Sequence, residues 1–502
     1  MVATETFKVM RSEAANLPRS RAFGITVEGI FLALFVCGLA WVPYWLGSNR
    51  PIAWGINAIV FPGLAALYEL SLLLRGVPHP VPIRRVAISA VLFALVATWV
   101  VVQNVTWTPS EWQHPIWQLA SDALGQHVAG SISIDRDLTA LTLLRLMTAG
   151  STFWLALQLS RDAGRARLLI WSVVGISALY AAVGLYALGF MPNGRVFPEW
   201  GPSKFVSSTF VSQNHYVTFA GMGFIAAVAA LLRLYRREFG RSGSLLRLKV
   251  ATLINTTGSK AAVPLAFACV ILAALLLTGN RGGIISTALG LFVLCILNMR
   301  RAGSGGRNET LLVVFAALLI GIAFISFGDV FVGRVTTQGL YDKGRLWVQG
   351  LTMESILSAP LLGFGYGTFA VAFPMFRDDG MSILGFWDKA HNTYLEIFQG
   401  LGLLFGGMLI ACVLILVWDC LRGARTRKHG ATIPALAVSI SFLVGVHALV
   451  DFSLQIQAVT LTFMAILGGG VAQASDPPPA GNAHVGVGDS SQHYSRIMDP
   501  NR

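Results

Sequence analysis

Long apolar runs, nearly free of charged side chains, recur along the whole chain. About 20 apolar residues suffice to cross a bilayer as a helix, because a helix rises 1.5 Å per residue. By this length criterion the sequence predicts an all-α polytopic membrane protein with about twelve transmembrane helices. The predicted spans are 23–46, 51–74, 86–102, 138–159, 168–188, 216–234, 263–278, 284–297, 311–327, 393–417, 433–450 and 458–471.

The few charged residues are mostly cationic. They make up 12% of the chain, against roughly 25% in a soluble domain, and the formal net charge is +13. The cations cluster in every second connection, which predicts that those connections and both termini are cytoplasmic. We therefore attribute the charge to helix orientation and expect no nucleic-acid partner. The connections 106–136, 191–214, 279–283 and 328–392 are expected to face outward.

Metal and disulfide chemistry are not expected. All five cysteines lie inside apolar runs and none forms a Cys-x-x-Cys pair. No group of His, Asp and Glu has metal-ligand spacing either. The sequence therefore predicts a site without metal or cofactor, in which arginines supply the electrostatic stabilisation.

Two arginines stand out in the outward connections. Arg281 lies in TGNRGG, between two apolar runs. Arg345 opens a predicted interfacial helix, and it adds its charge to the partial positive charge of the helix N-terminus, which suits a phosphate. The alternative is that both arginines contact lipid phosphates, or that Arg345 pairs with Asp342. The apolar residues predicted on one face of that helix are Leu346, Gly350, Met353 and Leu357.

His391 and Asn392 lie where the chain re-enters the membrane. A histidine takes a proton from a hydroxyl near neutral pH, and Asn392 is expected to orient the ring or the substrate. The alternative is that the pair only caps a helix. On a helix Glu396 would lie about 140° around from His391, so we expect Glu396 to partner Asn392 instead.

A second polar helix start contains Asn214 and His215, which we regard as candidate substrate-binding residues together with Lys204. Capping alone also selects such residues at a helix start. Asp451, between the last two spans, is interpreted as structural. Arg145, inside a span, needs an internal partner or a lipid headgroup, and no role is assigned to it.

Three motifs in order, TGNRGG, GRLWVQGLTMESILSAPLLGFGYGTF and AHNTYLEIFQGLGLLFGG, resemble the bacterial O-antigen ligase and O-antigen polymerase superfamily over 263–407. The resemblance implies a metal-independent inverting glycosyltransferase of the inner membrane, acting at the periplasmic face. It implies a glycan donor on undecaprenyl diphosphate. Arg281 and Arg345 match the arginines thought to bind the diphosphate, and His391 matches the histidine proposed to activate the acceptor hydroxyl.

The resemblance leaves the acceptor open. A polymerase extends a chain on the next lipid-linked repeat unit, whereas a ligase transfers finished glycan to lipid A-core. The long outward connections favour a polymerase or exopolysaccharide-type member slightly. A transporter of lipid-linked glycan is the alternative of another class. Membrane lipids and a chain-length regulator are the further partners considered.

The predicted organisation has five parts. A cytoplasmic segment 1–22 precedes the N-terminal transmembrane helices in 23–262. The ligase- or polymerase-like core, 263–407, contains the large periplasmic loop 328–392. The C-terminal helices lie in 408–471. A tail at 472–502, rich in Gly, Ser, Pro and Asp, is predicted to be a disordered cytoplasmic end.

Overall fold

The structure is a computed structural model that describes residues 26–239, 252, 255–299, 343–378, 387–427 and 430–475. In this part of the chain the residues form helices, turns and loops without a β-strand, and the pairing of Leu46 with Phe210 is an isolated bridge. The all-α prediction is therefore confirmed for the described residues. The predicted segment 1–22, the predicted span 311–327 and most of the tail 472–502 lie outside them.

The α-helices are named here in chain order. They are α1 Val27–Trp41, α2 Pro51–Arg75, α3 Ala87–Asn104, α4 Ile116–Leu124, α5 Arg136–Leu159, α6 Ala163–Phe190, α7 Gln213–Phe239, α8 Ala262–Leu276, α9 Arg281–Met299, α10 Lys343–Ser358, α11 Phe369–Ala372, α12 Thr393–Thr426, α13 Thr432–His447 and α14 Gln457–Ala474.

Nine helices among the described residues are long and apolar enough to cross a membrane. They are α2, α3, α5, α6, α7, α8, α9, α12 and α14, where α3 and α8 include the short helical turns before them. Helices α1 and α13 are apolar but shorter. The number of about twelve is thus not confirmed. Two predicted spans are shortened because the chain turns early, after Trp41 and after His447.

The central helices hold the end of α13 in place. α7 and α14 are the most buried of the nine, with 78% and 89% of their most apolar windows inside the protein. α13 packs against α7, α9, α12 and α14. The turn that follows α13 (448–456, the α13–α14 turn) is therefore held between the ends of its neighbours.

Helix α12 is broken near its start. Gly402 has φ +76° and ψ +168°, which lies far from helical values. The break releases backbone carbonyls inside the protein, where an unpaired carbonyl is costly. The turn from Gly363 to Gly367 satisfies them: the N–H groups of Phe364 and Gly365 donate to the carbonyls of Gln399 and Gly400 at 3.0 and 3.1 Å.

A glutamine of α3 closes the same junction. Gln103 Nε2 donates to the carbonyls of Leu362 and Gly400 at 2.7 and 2.8 Å. Its Oε1 accepts from the N–H of Tyr366 at 3.2 Å. These backbone N–H groups bond within the protein and are therefore not available to hold a phosphate.

We predict that Gly363→Ala destabilises the fold. A Cβ at Gly363 would lie 2.4 Å from the carbonyl oxygen of Gly400, and its φ of +67° is unfavourable for alanine. Overpacking of this kind costs about 1–3 kcal/mol beyond the backbone strain. Thermal unfolding in detergent should show a clearly lower melting temperature.

The matched control is Gly76→Ala. Gly76 has a similar φ of +62°, but a Cβ there meets nothing within 4 Å. Its variant should lose only the strain of a left-handed alanine, about 1–2 kcal/mol. Equal losses in the two variants would contradict the tight junction between the Gly363 turn and the break in α12.

Candidate active site

Among the residues that the structure describes, six helix ends lie around the α13–α14 turn. α7, α9, α10 and α12 begin there, α13 ends there and α14 begins there. N–H groups at a helix start carry a partial positive charge, so these starts favour an anion. The turn is bonded to three of them: Ser453 Oγ donates to the Asn214 carbonyl of α7 at 3.3 Å, the Thr393 N–H of α12 to the Ala448 carbonyl at 2.9 Å, and Arg345 of α10 to the Val450 carbonyl at 3.3 Å.

Asp451 is the buried acid of this turn, with 1% of its surface exposed. Ser453 Oγ donates to its Oδ2. Its main chain is fixed as well: its N–H donates to the His447 carbonyl at 3.0 Å, and its carbonyl accepts from Thr393 Oγ1 at 3.1 Å. Oδ1 has no hydrogen-bond partner among the described residues. A buried carboxylate held this way has one oxygen available for a cation.

The ring of His391 faces that oxygen. His391 Nδ1 lies 3.8 Å from Asp451 Oδ1, which is within ion-pair range but beyond hydrogen-bond length. Nδ1 is buried and, within the described part of the chain, has no hydrogen-bond partner. The side chain is nevertheless 20% exposed. The other edge of the ring, which carries Nε2, is therefore the one open to a substrate.

The backbone of His391 is strained. Its φ is +51°, a left-handed conformation that costs a non-glycine residue about 1–2 kcal/mol. Gln349 Nε2 donates to its carbonyl at 3.5 Å. The residue thus lies outside α12, and this turn, rather than helical spacing, sets the direction of the imidazole.

Aromatic rings enclose His391. Phe452 contacts His391 and His215 edge to face, at centroid distances of 5.1 and 4.6 Å. Trp387 contacts His391 in the same way at 5.8 Å. His215 is 3% exposed. The structure therefore brings His215 to the site, in a buried position behind Phe452.

The charge state of Asp451 follows from its surroundings. Burial alone would raise the pKa of Asp451, but the facing His391 ring, the His215 and His447 imidazoles and the Ser453 hydroxyl outweigh it and lower the pKa below its ordinary value. Asp451 is therefore ionised at neutral pH. A buried anion beside His391 stabilises the imidazolium that forms when the ring takes a proton.

Arg281 opens α9 beside the turn. Asn280 precedes it and caps the helix, since its Oδ1 accepts from the Gly283 N–H at 2.7 Å. Asn280 Nδ2 also donates to Asn214 Oδ1 at 2.5 Å, which ties the start of α9 to the start of α7. A side chain at Gly282 would meet Val450 and His447. The start of α9 thus lies against the α13–α14 turn.

Arg345 lies in the first turn of α10, and its Nη1 donates to the Val450 carbonyl. The helix predicted here is confirmed. Leu346, Met353 and Leu357 of the predicted face are exposed, and the interfacial position of the helix stays a prediction. Both arginines that the sequence selected therefore lie at helix starts that contact the turn carrying Asp451.

Asn392 caps α12. Its Oδ1 accepts from the N–H groups of Tyr394 and Leu395 at 3.0 and 3.2 Å, so the capping alternative describes its side-chain oxygen. The prediction that Asn392 pairs with Glu396 is therefore wrong for Asn392 Oδ1. Glu396 instead accepts from the Ala390 N–H at 2.8 Å and from Gln455 Nε2 at 2.6 Å.

Among the described residues, Lys204 does not belong to the group of side chains around the α13–α14 turn. It is exposed in the loop before α7. The neighbouring backbone does approach the site helices, because the Val206 N–H donates to the Leu277 carbonyl at 3.0 Å and a side chain at Gly279 would meet Phe205. Among the described contacts, none joins Lys204 itself to Arg281, His391 or Asp451.

Asp451 and His447 are the site residues that sequence reasoning missed. Thr218 Oγ1 lies 2.7 Å from His447 Nδ1, which holds the His447 ring beside the turn. The available signal was the segment HALVDFSLQ, where a histidine and an acid interrupt apolar residues between two spans. Arg145, to which no role was assigned, has internal partners: it donates to the Gln455 carbonyl and lies 4.4 Å from the Trp54 ring.

No group of three or more His, Cys, Asp or Glu side chains is arranged to hold a metal ion in the residues that the structure describes. The site therefore offers a base, a buried anion, two guanidinium groups and several helix starts. Such a set suits the transfer of a group from an anionic leaving group to a hydroxyl.

Comparison with known proteins agrees with this chemistry. Residues 265–411 match the family described as O-antigen ligase. The chain is also 25% identical over 188 residues to a protein named General O-oligosaccharyltransferase from Acinetobacter baylyi (strain ATCC 33305 / BD413 / ADP1). That match covers 34% of this chain and 32% of the relative, so the chain spans about a third of the relative's length. These matches confirm the resemblance to the O-antigen ligase superfamily noted in the sequence, over residues 265–411 for the family as a whole.

Proposed function

We propose that this membrane protein transfers a glycan from a lipid diphosphate carrier to an acceptor hydroxyl, with His391 as the general base. The observation that carries the proposal is the His391 ring, whose Nδ1 faces the ionised Asp451 while its other edge is open. A buried carboxylate behind an imidazole is the arrangement that holds a histidine ready to accept a proton.

The reaction is proposed as a single displacement. The acceptor hydroxyl gives its proton to His391 Nε2, and its oxygen forms a bond to the anomeric carbon of the glycan. The bond from that carbon to the diphosphate breaks, and the lipid diphosphate leaves with the electron pair. Attack opposite the leaving group inverts the anomeric centre. No protein nucleophile is required, because Asp451 is buried behind His391 rather than open to the sugar.

The proposed role of the two arginines is to stabilise the diphosphate leaving group. A diphosphate gains negative charge as the glycosidic bond breaks, and guanidinium groups stabilise that charge with paired N–H donors. Arg281 and Arg345 lie at the starts of α9 and α10, where the helix termini add partial positive charge. These charges are proposed to take the place of a divalent metal.

The acceptor is proposed to be of the ligase type. The matched family is described as O-antigen ligase, and the relative's name refers to O-linked oligosaccharide transfer. The ligase-type proposal rests on these two descriptions, whereas the sequence alone slightly favoured chain extension by a polymerase or exopolysaccharide-type member. We further propose undecaprenyl diphosphate as the carrier, the inner membrane as the location and its periplasmic face as the side of the site.

We predict that Ala in place of Arg281, Arg345 or His391 abolishes transfer in a gene-deletion strain carrying each variant. Loss of the base alone should cost about 10²–10⁴-fold. The readout is gel separation of lipopolysaccharide with analysis of carrier-linked glycan. Long chains that stay on the carrier indicate a ligase, whereas single repeat units indicate a polymerase.

The matched control is Arg84→Ala, which removes an exposed cation before α3. It should transfer glycan like the wild type, and membrane levels of all variants should be equal. Wild-type transfer by His391→Ala would overturn the proposed base, and wild-type transfer by either arginine variant would overturn the proposed diphosphate site.

We predict that Asp451→Asn lowers kcat by about 10²-fold or more, with little change in KM, because Asp451 acts through His391 and does not touch the substrate. Ser453→Ala is the control, since it removes a hydrogen bond but keeps the charge, and it should lose much less. Purified protein with lipid-linked donor in EDTA gives both values. Wild-type turnover in EDTA also tests the proposed absence of a metal.

The Asp451→Asn variant should also change how the melting temperature depends on pH. Because the pKa of Asp451 is lowered in the folded protein, its ionised form stabilises the fold above the ordinary aspartate pKa of about 3.9. That stabilisation is lost as the pH falls below this value. The melting temperatures of Asp451→Asn and wild type should therefore differ most at neutral pH and converge in acid.

In the activity measurement, a kcat of Asp451→Asn equal to that of the wild type would contradict the proposed role of Asp451.

A further inference from the structure

A cationic cavity of about 340 Å³ opens at the other end of the bundle. Four cations line it, Arg167 of α6, Arg233 and Arg237 of α7, and Lys260 from the segment before α8, together with one acid, Glu238 of α7. The rest of the lining is mainly apolar and includes Ile170 of α6 and Leu436 of α13. A cavity lined by both cationic and apolar side chains fits an amphiphile with an anionic head.

The cavity is separate from the proposed active site. At 1.5 Å per residue, Arg233 lies about 27 Å along α7 from His215. α13 likewise runs from Thr432 in the cavity to His447 beside Asp451. The separation matches the roughly 30 Å of a bilayer's hydrocarbon core. The cavity therefore lies where the opposite membrane surface is expected.

The charges around the cavity are poorly balanced. Lys260 pairs with Glu238 at 2.9 Å. The side chains of Arg167, Arg233 and Arg237, by contrast, have neither a hydrogen bond nor an ion pair with any residue that the structure describes. All three arginines line the same cavity. Like charges repel one another, so an anion between them would stabilise this end of the bundle.

We propose that the cavity binds the phosphate headgroup of an anionic phospholipid, with its acyl chain along the apolar side chains of the lining. Guanidinium groups bind phosphate oxygens through paired N–H donors. Basic pockets between transmembrane helices are suited to such headgroups. The lipid joins α6, α7 and α13 at the end opposite the active site, and stabilises their packing.

The ordinary alternative is that the three arginines extend separately to the membrane surface, as long cationic side chains do. In that case any anionic bilayer would attract them, without a defined site. The two cases differ in stoichiometry and in their response to a control that removes the same number of charges elsewhere.

The test measures binding of phosphatidylglycerol to purified protein in a neutral detergent, by native mass spectrometry and by the rise in melting temperature. The variant is R167Q/R233Q/R237Q. The control is R84Q/R85Q/R422Q, which removes three exposed cations outside the cavity. Phosphatidylcholine and inorganic phosphate are added in separate arms.

We expect saturable binding of phosphatidylglycerol to the wild type and the control, with a rise in melting temperature. The cavity variant should bind roughly 100-fold more weakly, at about fivefold for each of the three cations removed near the surface. Equal binding by the cavity variant and the control would overturn the proposal. So would equal effects of phosphatidylcholine, and so would saturation by inorganic phosphate alone, which would indicate a site for free phosphate instead of lipid.

Discussion

The structure around the α13–α14 turn depends on one buried charge, the carboxylate of Asp451. An ionised group inside a protein is costly unless it is paired and hydrogen-bonded. Ser453, the imidazole of His391 and the nearby His215 and His447 supply that environment. These residues come from α7, the segment before α12, α13 and the turn itself, so the need to stabilise one carboxylate holds four parts of the chain together.

Helix ends rather than helix sides form the site. A transmembrane helix satisfies its own backbone along its length, and only its ends offer unpaired N–H groups. Asn280 and Asn392 cap α9 and α12, which fixes the direction in which each helix leaves the site. The break in α12 at Gly402 is held by the Gly363 turn and by Gln103. The scaffold close to the residues proposed to react is thus held by hydrogen bonds between separate parts of the chain.

The sequence predicted what depends on local pattern. Apolar runs predicted the helices, and charged residues in outward connections led to Arg281, Arg345 and His391. Asp451 was interpreted as structural because its partner His391 is 60 positions away and no spacing rule joins them. The sequence did not predict the break at Gly402 either, because the apolar run GLGLLFGG favours an unbroken helix. Lys204 was selected by charge alone, and charge does not determine which way a loop folds.

The most direct measurement is an experimental structure of the protein in a nanodisc with a non-hydrolysable lipid diphosphate glycan bound. We predict that the diphosphate lies within hydrogen-bond distance of both Arg281 and Arg345, with the anomeric carbon on the open side of the His391 ring and Asp451 behind it. A diphosphate bound away from both arginines, or a sugar that approaches Asp451 rather than His391, would contradict it.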